Sequence, residues 1–491
     1  MELSKIVYQG EIIKMIGDRH VEISNITTDP TAPGDGMLFV MIKKDLSYAD
    51  RDLLFGFSAI ICDADSFRVL SLNPPCTLIC VESPRGAWAL AESRIRRIDY
   101  SKIKFIAVTG TNGKTTTATL IKHILEQDGK RVGFIGTGLI SIGDHSLSED
   151  FYSMTTPDPP VLYEAIKYMS EQNVTHIVME VSSHALYYEK TIPIPFALSI
   201  FTNISKEHLD FHCDIEEYAK TKLKLVGSSD TVLFGIDDPI FRSEYYKSDA
   251  HKLSYGIIWD ADYRITDLCD MGFDGSRFIF RTRDFSFAVA SKLIGKFNVY
   301  NALAALSAAI TLGVLPCVAK RALTDFPGVE GRVETVYNGD FRVIIDYAHN
   351  EAAFNALLKG TSEYSSNGIT VVFGCGGERY AGKRAKMARI AEKYASLIYV
   401  TSDNQRSEPQ QKIFADIISG FSDNCNHLII EDRGDAIRQA ILDAKSGDTI
   451  LLVGKGREKY NIDTSGYHKF DERAIVRQAI QERERKNEGE A

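Results

Sequence analysis

The sequence predicts an α/β protein of three domains: a small α/β N-terminal domain, a central domain on a mostly parallel sheet, and a C-terminal doubly wound domain. Three observations predict it. The 491 residues exceed what one hydrophobic core holds. Short continuous apolar runs alternate with longer helix-patterned runs, as expected of parallel strands covered on both faces. The pattern breaks at RRIDYSK and at FPGVEGR, dividing the chain at residues 1–97, 98–330 and 331–491.

In 1–97, MLFVMI, AIICDA and CTLICVE read as short strands between turn-rich stretches. From 98, FIAVTG is a strand and KTTTATLIKHILEQ an amphipathic helix closed by Gly129. HIVMEVS and ALSIFTNI are further buried strands, and TTPDPP, at 155–160, reads as a helix start. FPGVEGR reads as a linker. From 331, the runs RVIIDYA, ITVVFGCGG, LIYVTS, HLIIED and TILLVGKG are strands, each followed by a helix. The terminal QERERKNEGEA is a charged, frayed tail. Ligands collect at the carboxyl ends of such strands, where FGCGGER, TSDNQR and VGKGRE lie.

With 44% hydrophobic and 25% charged residues, the composition is that of an ordinary soluble protein. A formal net charge of −9 argues against a nucleic-acid partner. No apolar run approaches membrane-spanning length, and the N-terminal residues carry no signal-peptide pattern. The eight cysteines include no CxxC pair and read as free thiols in a reducing cytoplasm.

VTGTNGKTTT, at 108–117, follows a strand and opens a helix. Gly110 and Gly113 let backbone N–H groups turn toward an anion, Lys114 adds a point charge, and Thr115 can place a hydroxyl on Mg²⁺. Val108 stands where the strict Walker pattern has its first glycine. A chance glycine turn is the bland alternative; strand, turn, GKTT and helix in order favour phosphate binding.

These residues resemble the phosphate loop of the Mur ligases, the ATP-dependent amino-acid ligases of peptidoglycan synthesis. The resemblance continues through TTPDPP, MEVSSHAL (179–186), TNISKEHLDFH (202–212), GKFNVYNALAA (295–305), GVEGRVE (328–334), DYAHN (346–350), FGCGGERYAGKR (373–384) and GKGRE (454–458). It is much weaker over the divergent first 97 residues. It implies a UDP-substrate-binding N-terminal domain, a central P-loop ATPase domain and a Rossmann-like amino-acid-binding C-terminal domain. It implies a ligase that phosphorylates a carboxylate with ATP and passes the acyl phosphate to an amine. Such an enzyme is cytoplasmic and monomeric and serves wall biogenesis, cell shape and division.

The resemblance also implies the site residues. Gly110, Thr111, Asn112, Gly113, Lys114, Thr115 and Thr116 hold the ATP phosphates, Asn301 the adenine side, and Arg332, Asp346 and His349 bring the third domain to the nucleotide. Lys114, Glu180, His208 and Lys222 form the catalytic set. Thr115, Glu180, His208 and a carbamylated Lys222 hold Mg²⁺, the carbamate coming from CO₂. From spacing alone Lys220, Lys222 and Lys224 look like one solvated helix face; a carbamate on Lys222 needs a neutral amine, hence a depressed pKa. A lone Glu180 reads otherwise as a solvated strand end, and a lone His208 as a core histidine.

In diaminopimelate-adding members an arginine after D-N-P grips the amino acid. Here the run is Asp403, Asn404, Gln405, Arg406. A guanidinium fork suits the carboxylate that distinguishes meso-diaminopimelate from lysine, a preference worth as much as ~10⁴. Arg379, Gly454 and Glu458 complete that pocket, Glu458 taking the distal ammonium. A solvated loop arginine is the ordinary alternative for Arg406. Gln405 replaces a proline, which loosens the loop, and Arg457, where relatives have histidine, adds charge beside Glu458. Asn350 stands where many relatives have threonine.

The implied acceptor is UDP-N-acetylmuramoyl-L-alanyl-D-glutamate, with Thr155, Thr156, Ser182 and Lys190 as its contacts. Two places depart. Asp29, Pro30, Thr31 replaces the family's D-S-R, and Tyr188 and Lys190 replace a glutamine and an arginine. The leading expectation is therefore a diaminopimelate ligase. A paralogue adding another amino acid, such as L-lysine, or using another acceptor is the second. A nucleotide-binding scaffold without turnover is the third.

Overall fold

Three main sheets order the chain in a computed structural model that describes residues 1–43, 51–147, 154–209 and 211–489. The first runs Lys14–Ile16, Thr77–Cys80, Phe57–Cys62, Gly34–Val40, Asn25–Thr27, parallel except at its first pair. Its two outer strands are three residues each, too short for their pattern to stand out in the sequence. The helix Pro84–Ile95 packs Trp88 and Ala91 onto one face.

The second sheet has eleven strands. Lys104–Thr109 lies between His176–Glu180 and Phe196–Phe201, parallel to both. The register sets Glu180 beside Val108 and Phe201 beside Thr109, so the three strands end level. The loop after Thr109 therefore opens between the two neighbouring loops. Strands from Val132–Gly136 across to Tyr263–Asp270 run parallel. Antiparallel strands extend both ends, an addition that the apolar pattern did not predict.

The third sheet runs Glu334–Asn338, Arg342–Asp346, Asp448–Val453, Gly368–Phe373, Leu397–Val400, His427–Ile429. Only the first pair is antiparallel. Successive strand residues serve opposite faces. Ile344, Val371 and Leu451 pack with Phe354, Leu358 and Met387, while Val343, Val372 and Leu452 pack with Ile437, Ile441 and Val476. That double burial, about 1.5–3 kcal/mol per large side chain, is why these strands read as unbroken apolar runs. Asp346, Phe373 and Val400 end level with Val453, so the loops 347–350, 374–383, 401–409 and 454–459 share one edge.

Two expectations change and a third gains detail. The charged tail is helical as far as Gly489, its last two residues lying outside the described ones: the helix Glu472–Gly489 is held by Arg483, which donates to the carbonyls of Ile441 (2.7 Å) and Ala444 (2.6 Å), and by an Arg438–Glu482 pair at 2.6 Å. A hairpin, Tyr460–Asp463 with Gly466–Lys469, stands between the last sheet strand and that helix. TTPDPP does open a helix, as expected, though its threonines are not the cap. The helix starts at Pro159 behind Asp158, and the Thr156 hydroxyl donates to the Glu180 carbonyl instead. All eight cysteines are free thiols. Among the described residues no helix is long and apolar enough to cross a membrane.

Arg433 and Glu472, both almost fully buried, pair at 2.7 Å and tie the 433–442 helix to the last one. Glu472→Ala strands the buried guanidinium and should cost about 3–5 kcal/mol in chemical denaturation, while Arg433→Met with Glu472→Leu should cost far less. A single-variant loss under about 1 kcal/mol would contradict a coupled buried pair.

Candidate functional site

The loop 110–113 carries two glycines that nothing larger can replace. A Cβ on Gly110 would sit 1.9 Å from Thr202 Oγ1, and one on Gly113, at φ 84°, 2.3 Å from Asn301 Oδ1. Helix Lys114–Gln127 begins immediately after, and its first-turn N–H groups have no intrahelical acceptor. They and the helix dipole form an anion cradle. The loop is braced from behind by Asn203. Its carbonyl accepts from Thr111 N–H (2.7 Å), its Oδ1 from Asn112 N–H (3.1 Å), and its Nδ2 donates to Asn112 O (3.0 Å). Asn203 was not singled out in the sequence, since its role comes from the adjacent strand's register.

Lys114 Nζ folds back onto the carbonyls of Gly110 (3.0 Å) and Thr111 (2.8 Å). Glu180 is fully buried at its strand end, not solvated. Its Oε2 accepts from Thr115 Oγ1 (2.9 Å) and its Oε1 from Thr137 N–H (2.9 Å). Arg332, from the third domain, donates to the same Thr115 hydroxyl at 3.0 Å. One hydroxyl thus joins the phosphate loop, the carboxylate and a guanidinium from across the domain boundary.

Lys222 departs from the solvated-face reading. Lys220 and Lys224 are exposed, but Lys222 is 1% exposed, with Nζ 3.0 Å from the Gly110 carbonyl that Lys114 also reaches. Burial pushes its pKa well below the usual lysine range, and the Lys114 charge adds to the effect. His208 keeps an exposed edge and is not a core histidine, yet the groups packed about its ring desolvate it and pull its pKa down to about 4, with His184, Lys114 and Lys222 reinforcing and Glu207 opposing. Glu207 precedes it. Burial would raise that carboxyl, yet a hydrogen bond from His349 and the charges of His349, His208 and Lys114 hold it well below the carboxylate range.

Among the described residues no group of three or more His, Cys, Asp or Glu could hold a metal ion. Thr115 and Glu180 supply two hard oxygen donors 2.9 Å apart, which fits Mg²⁺, an ion that keeps several waters and takes phosphate oxygens. As an amine, Lys222 offers no such oxygen; as a carbamate it would.

A cavity of about 440 Å³ lies between the domains, lined by Gly113, Thr116 and Asn301 on one side and Arg332, Asp346 and His349 on the other. Tyr255, Ile258, Phe297 and Leu357 give it apolar walls. Asn301 receives a long hydrogen bond from Thr117 and donates to Asn298 (2.9 Å). Asp346 does not extend a free carboxylate into the cavity: it accepts from Val333 N–H (2.8 Å) and Ala348 N–H (2.7 Å). Val333 sits at φ 48°, a costly place for a β-branched residue. That turn directs Arg332 across the Tyr347 ring, 4.4 Å from its centre, toward Thr115. A second, wider cavity of about 850 Å³, bounded by Met1, Arg94 and Arg97, contains none of the sequence-predicted residues.

On the third-domain edge, Arg406 is half-buried at φ 55° and donates to the carbonyls of Gly377 (2.8 Å) and Asn404 (3.1 Å). Gln405 does not leave this loop loose. Arg406 N–H bonds Ile462 O (3.1 Å), Gly377 N–H bonds Asn404 O (2.9 Å), and a Cβ on Gly377 would lie 1.9 Å from Gln405 O. Behind it the fully buried Arg384 grips Glu408 (2.7 Å) and Asp416 (2.8 Å). Asn404 Nδ2 reaches Glu458 at 2.8 Å. The sequence reading missed Lys455, buried beside Asn404 Oδ1 (3.1 Å), Asp403 (3.6 Å) and Glu458 (3.7 Å). Its signal was a lysine between two glycines in GKGRE. Burial raises the Glu458 pKa, with Lys455 opposing. Gly454 closes the edge through its N–H to Asp346 O (3.0 Å). Arg457 turns away from Glu458: it pairs with Glu330 at 3.7 Å, on the Arg332 side. Arg379 is exposed beside Glu378.

Thr155, Thr156 and Ser182 cluster next to Glu180. Thr155 meets the Thr137 hydroxyl at 3.0 Å, Thr156 accepts from Ser182 N–H (3.1 Å), and Ser182 caps a short helix. Lys190 pairs with Asp158 at 2.7 Å. Thr31 donates to Asp29 at 2.7 Å. Arg85, from the first domain, lies over the Tyr188 ring at 4.1 Å.

Known proteins match this arrangement along nearly its whole length. Residues 108–309 match the Mur ligase middle domain, and 331–456 the Mur ligase glutamate ligase domain. The chain is 35% identical to UDP-N-acetylmuramoyl-L-alanyl-D-glutamate--2,6-diaminopimelate ligase 1 of Clostridium acetobutylicum, over 98% of this chain and 100% of that protein. It is 37% identical to the corresponding ligase of Caldanaerobacter subterraneus, over 96% and 97%. A solved structure of a UDP-N-acetylmuramoyl-L-alanyl-D-glutamate--2,6-diaminopimelate ligase superposes with a TM-score of 0.67 at 27% identity, covering 99% of each chain.

Proposed function

We propose that this chain, which belongs to the Mur ligase family, joins meso-diaminopimelate to UDP-N-acetylmuramoyl-L-alanyl-D-glutamate with ATP as the energy source. The observation that carries the reading is the junction at Thr115, where phosphate loop, Glu180 and the third domain's Arg332 meet. The name borne by relatives at 35% and 37% identity supplies the substrates.

A carboxylate is a poor electrophile, so the glutamyl carboxylate must first take the ATP γ-phosphoryl group. Lys114 and the first-turn amides hold the phosphates, and Arg332 adds positive charge as negative charge spreads in transfer. Thr115 and Glu180 would hold one Mg²⁺, and His208 with Lys222 a second; bound there, the metal neutralises phosphate charge. For the second site the neutral Lys222 amine forms an N–C bond to CO₂ and releases a proton, becoming a carbamate. Burial and the neighbouring Lys114 favour the neutral amine this requires. The acyl phosphate is then attacked by the amino group of diaminopimelate, and phosphate leaves the tetrahedral intermediate. Arg406 takes the carboxylate that lysine lacks, exchanging its carbonyl partners for an anion, and Asp403 and Glu458 face the distal ammonium. The enzyme works in the cytoplasm on a wall precursor.

One observation favours a variant acceptor. Lys190 and Thr31 are both engaged by neighbouring aspartates, so the uridine end meets a different set of groups.

Phosphate release should depend on both the UDP-dipeptide and diaminopimelate, with lysine a much poorer substrate. No amide from either amino acid would overturn the reading, and turnover only with another acceptor would establish the variant. Lys222→Ala should lower kcat by about 10²–10³, partly restored by acetate or formate. Full activity without rescue would remove the carbamate from the account. Arg406→Ala should raise the diaminopimelate KM by roughly 10–100-fold while leaving that for lysine nearly unchanged. An unaltered ratio between the two would show that selection lies elsewhere.

A further inference from the structure

We propose that Asn350 is a positioning residue, a clasp through which docking of the third domain sets the phosphate loop and the Glu207–His208 corner. The helix Glu351–Tyr364 begins at Asn350, whose Oδ1 accepts from Ala353 N–H at 2.9 Å. An N-cap needs only that acceptor, and serine, threonine or aspartate supply it as well. What asparagine adds is an NH₂ group. Both of its hydrogen bonds cross the domain boundary: Nδ2 lies 3.0 Å from Asn112 Oδ1 and 3.0 Å from Glu207 Oε1.

The two acceptors are at chemically critical points. Asn112 belongs to the phosphate loop, and its peptide is already fixed by Asn203 and by Thr202 Oγ1, 2.7 Å from its carbonyl. Its side chain is therefore the remaining handle on that loop, and Asn350 holds it. Glu207 is the residue before His208, and it also receives His349 Nε2 at 3.2 Å. Two consecutive third-domain residues thus hold one carboxylate. Asn350 is 6% exposed, so water does not readily replace these bonds. When the third domain withdraws, Asn112 loses a donor and Glu207 loses two. When it returns, one amide aligns the loop and the carboxylate together. The sequence set Asn350 apart only as a substitution for threonine, a side chain that caps a helix but has no NH₂.

The proposal rests on the nucleotide reading of the loop but not on the identity of the acceptor or amino acid. Its test is accordingly binding and shape, measured on the full chain with a non-hydrolysable ATP analogue and Mg²⁺. Asn350→Thr keeps the cap and removes the two cross-domain donations. Its melting temperature without nucleotide should stay within about 3 °C of the parent. Its dissociation constant for the analogue should rise roughly tenfold. The nucleotide-driven fall in radius of gyration, read by small-angle scattering, should need correspondingly more analogue. In turnover, KM for ATP should rise while kcat at saturation changes little, a split that general destabilisation would not give.

Asn350→Asp keeps cap and shape but faces Glu207 with a second carboxylate, so it should be worse than Asn350→Thr. Adding Glu207→Gln restores a donor–acceptor pair and should recover most of the loss. Unchanged affinity and compaction in Asn350→Thr, or a double variant no better than the product of its singles, would overturn the clasp. A protein that closes through Asn350 yet forms no amide would leave the clasp standing and remove the ligase assignment instead.

Discussion

The Thr115 hydroxyl is the point on which the site turns. It donates to Glu180 and accepts from Arg332, linking a helix start, a strand end 65 residues later and a guanidinium 217 residues later. Each of the three is placed by a different part of the fold. Thr115 is set by the helix after the loop, Glu180 by a parallel register that ends its strand level with Val108, and Arg332 by the backbone turn at Val333. A buried hydroxyl between an anion and a cation is satisfied in both roles, which removes the cost of burying it.

Around that point the electrostatics are unusual in one respect. Lys114 and Lys222 both approach the Gly110 carbonyl, two amines at one acceptor, with Glu207 acting on each and Glu180 on Lys114 as well. Such a pocket is short of negative charge. An arriving polyphosphate supplies it, and a carbamate on Lys222 would put an anion where a buried amine of depressed pKa now sits. The crowding of positive groups is thus a property of the protein awaiting its substrate, in keeping with catalysis by prearranged charge.

Much of the fold was legible because double burial leaves continuous apolar strands, and the third sheet shows this residue by residue. What escaped was short or antiparallel: the outer strands of the first sheet, the extensions of the second, the 460–469 hairpin. The phosphate loop could be read because glycine positions and a helix start lie within eight residues of one another. Lys222 could not be read from spacing, since its neighbours Lys220 and Lys224 are exposed and the pattern is that of a polar face. Asn203 and Thr137 were invisible for another reason, and Lys455 showed only as a lysine between two glycines. Each acts through a partner distant in sequence, and only the sheet registers and loop packing bring the partners together. Arg457 was assigned to the wrong neighbour because adjacency in sequence to Glu458 says nothing about which way a side chain leaves a tight turn.

The left-handed backbone at Val333 lies where the chain passes from the second sheet into the third. A β-branched residue in that region carries about 1–3 kcal/mol of strain, held here by the bond from its N–H to Asp346. The chain connecting the second and third sheets is therefore a sprung joint rather than a slack tether. Relaxation of that one peptide would shift Arg332 away from Thr115, so the residue that carries the strain also fixes the aim of the guanidinium.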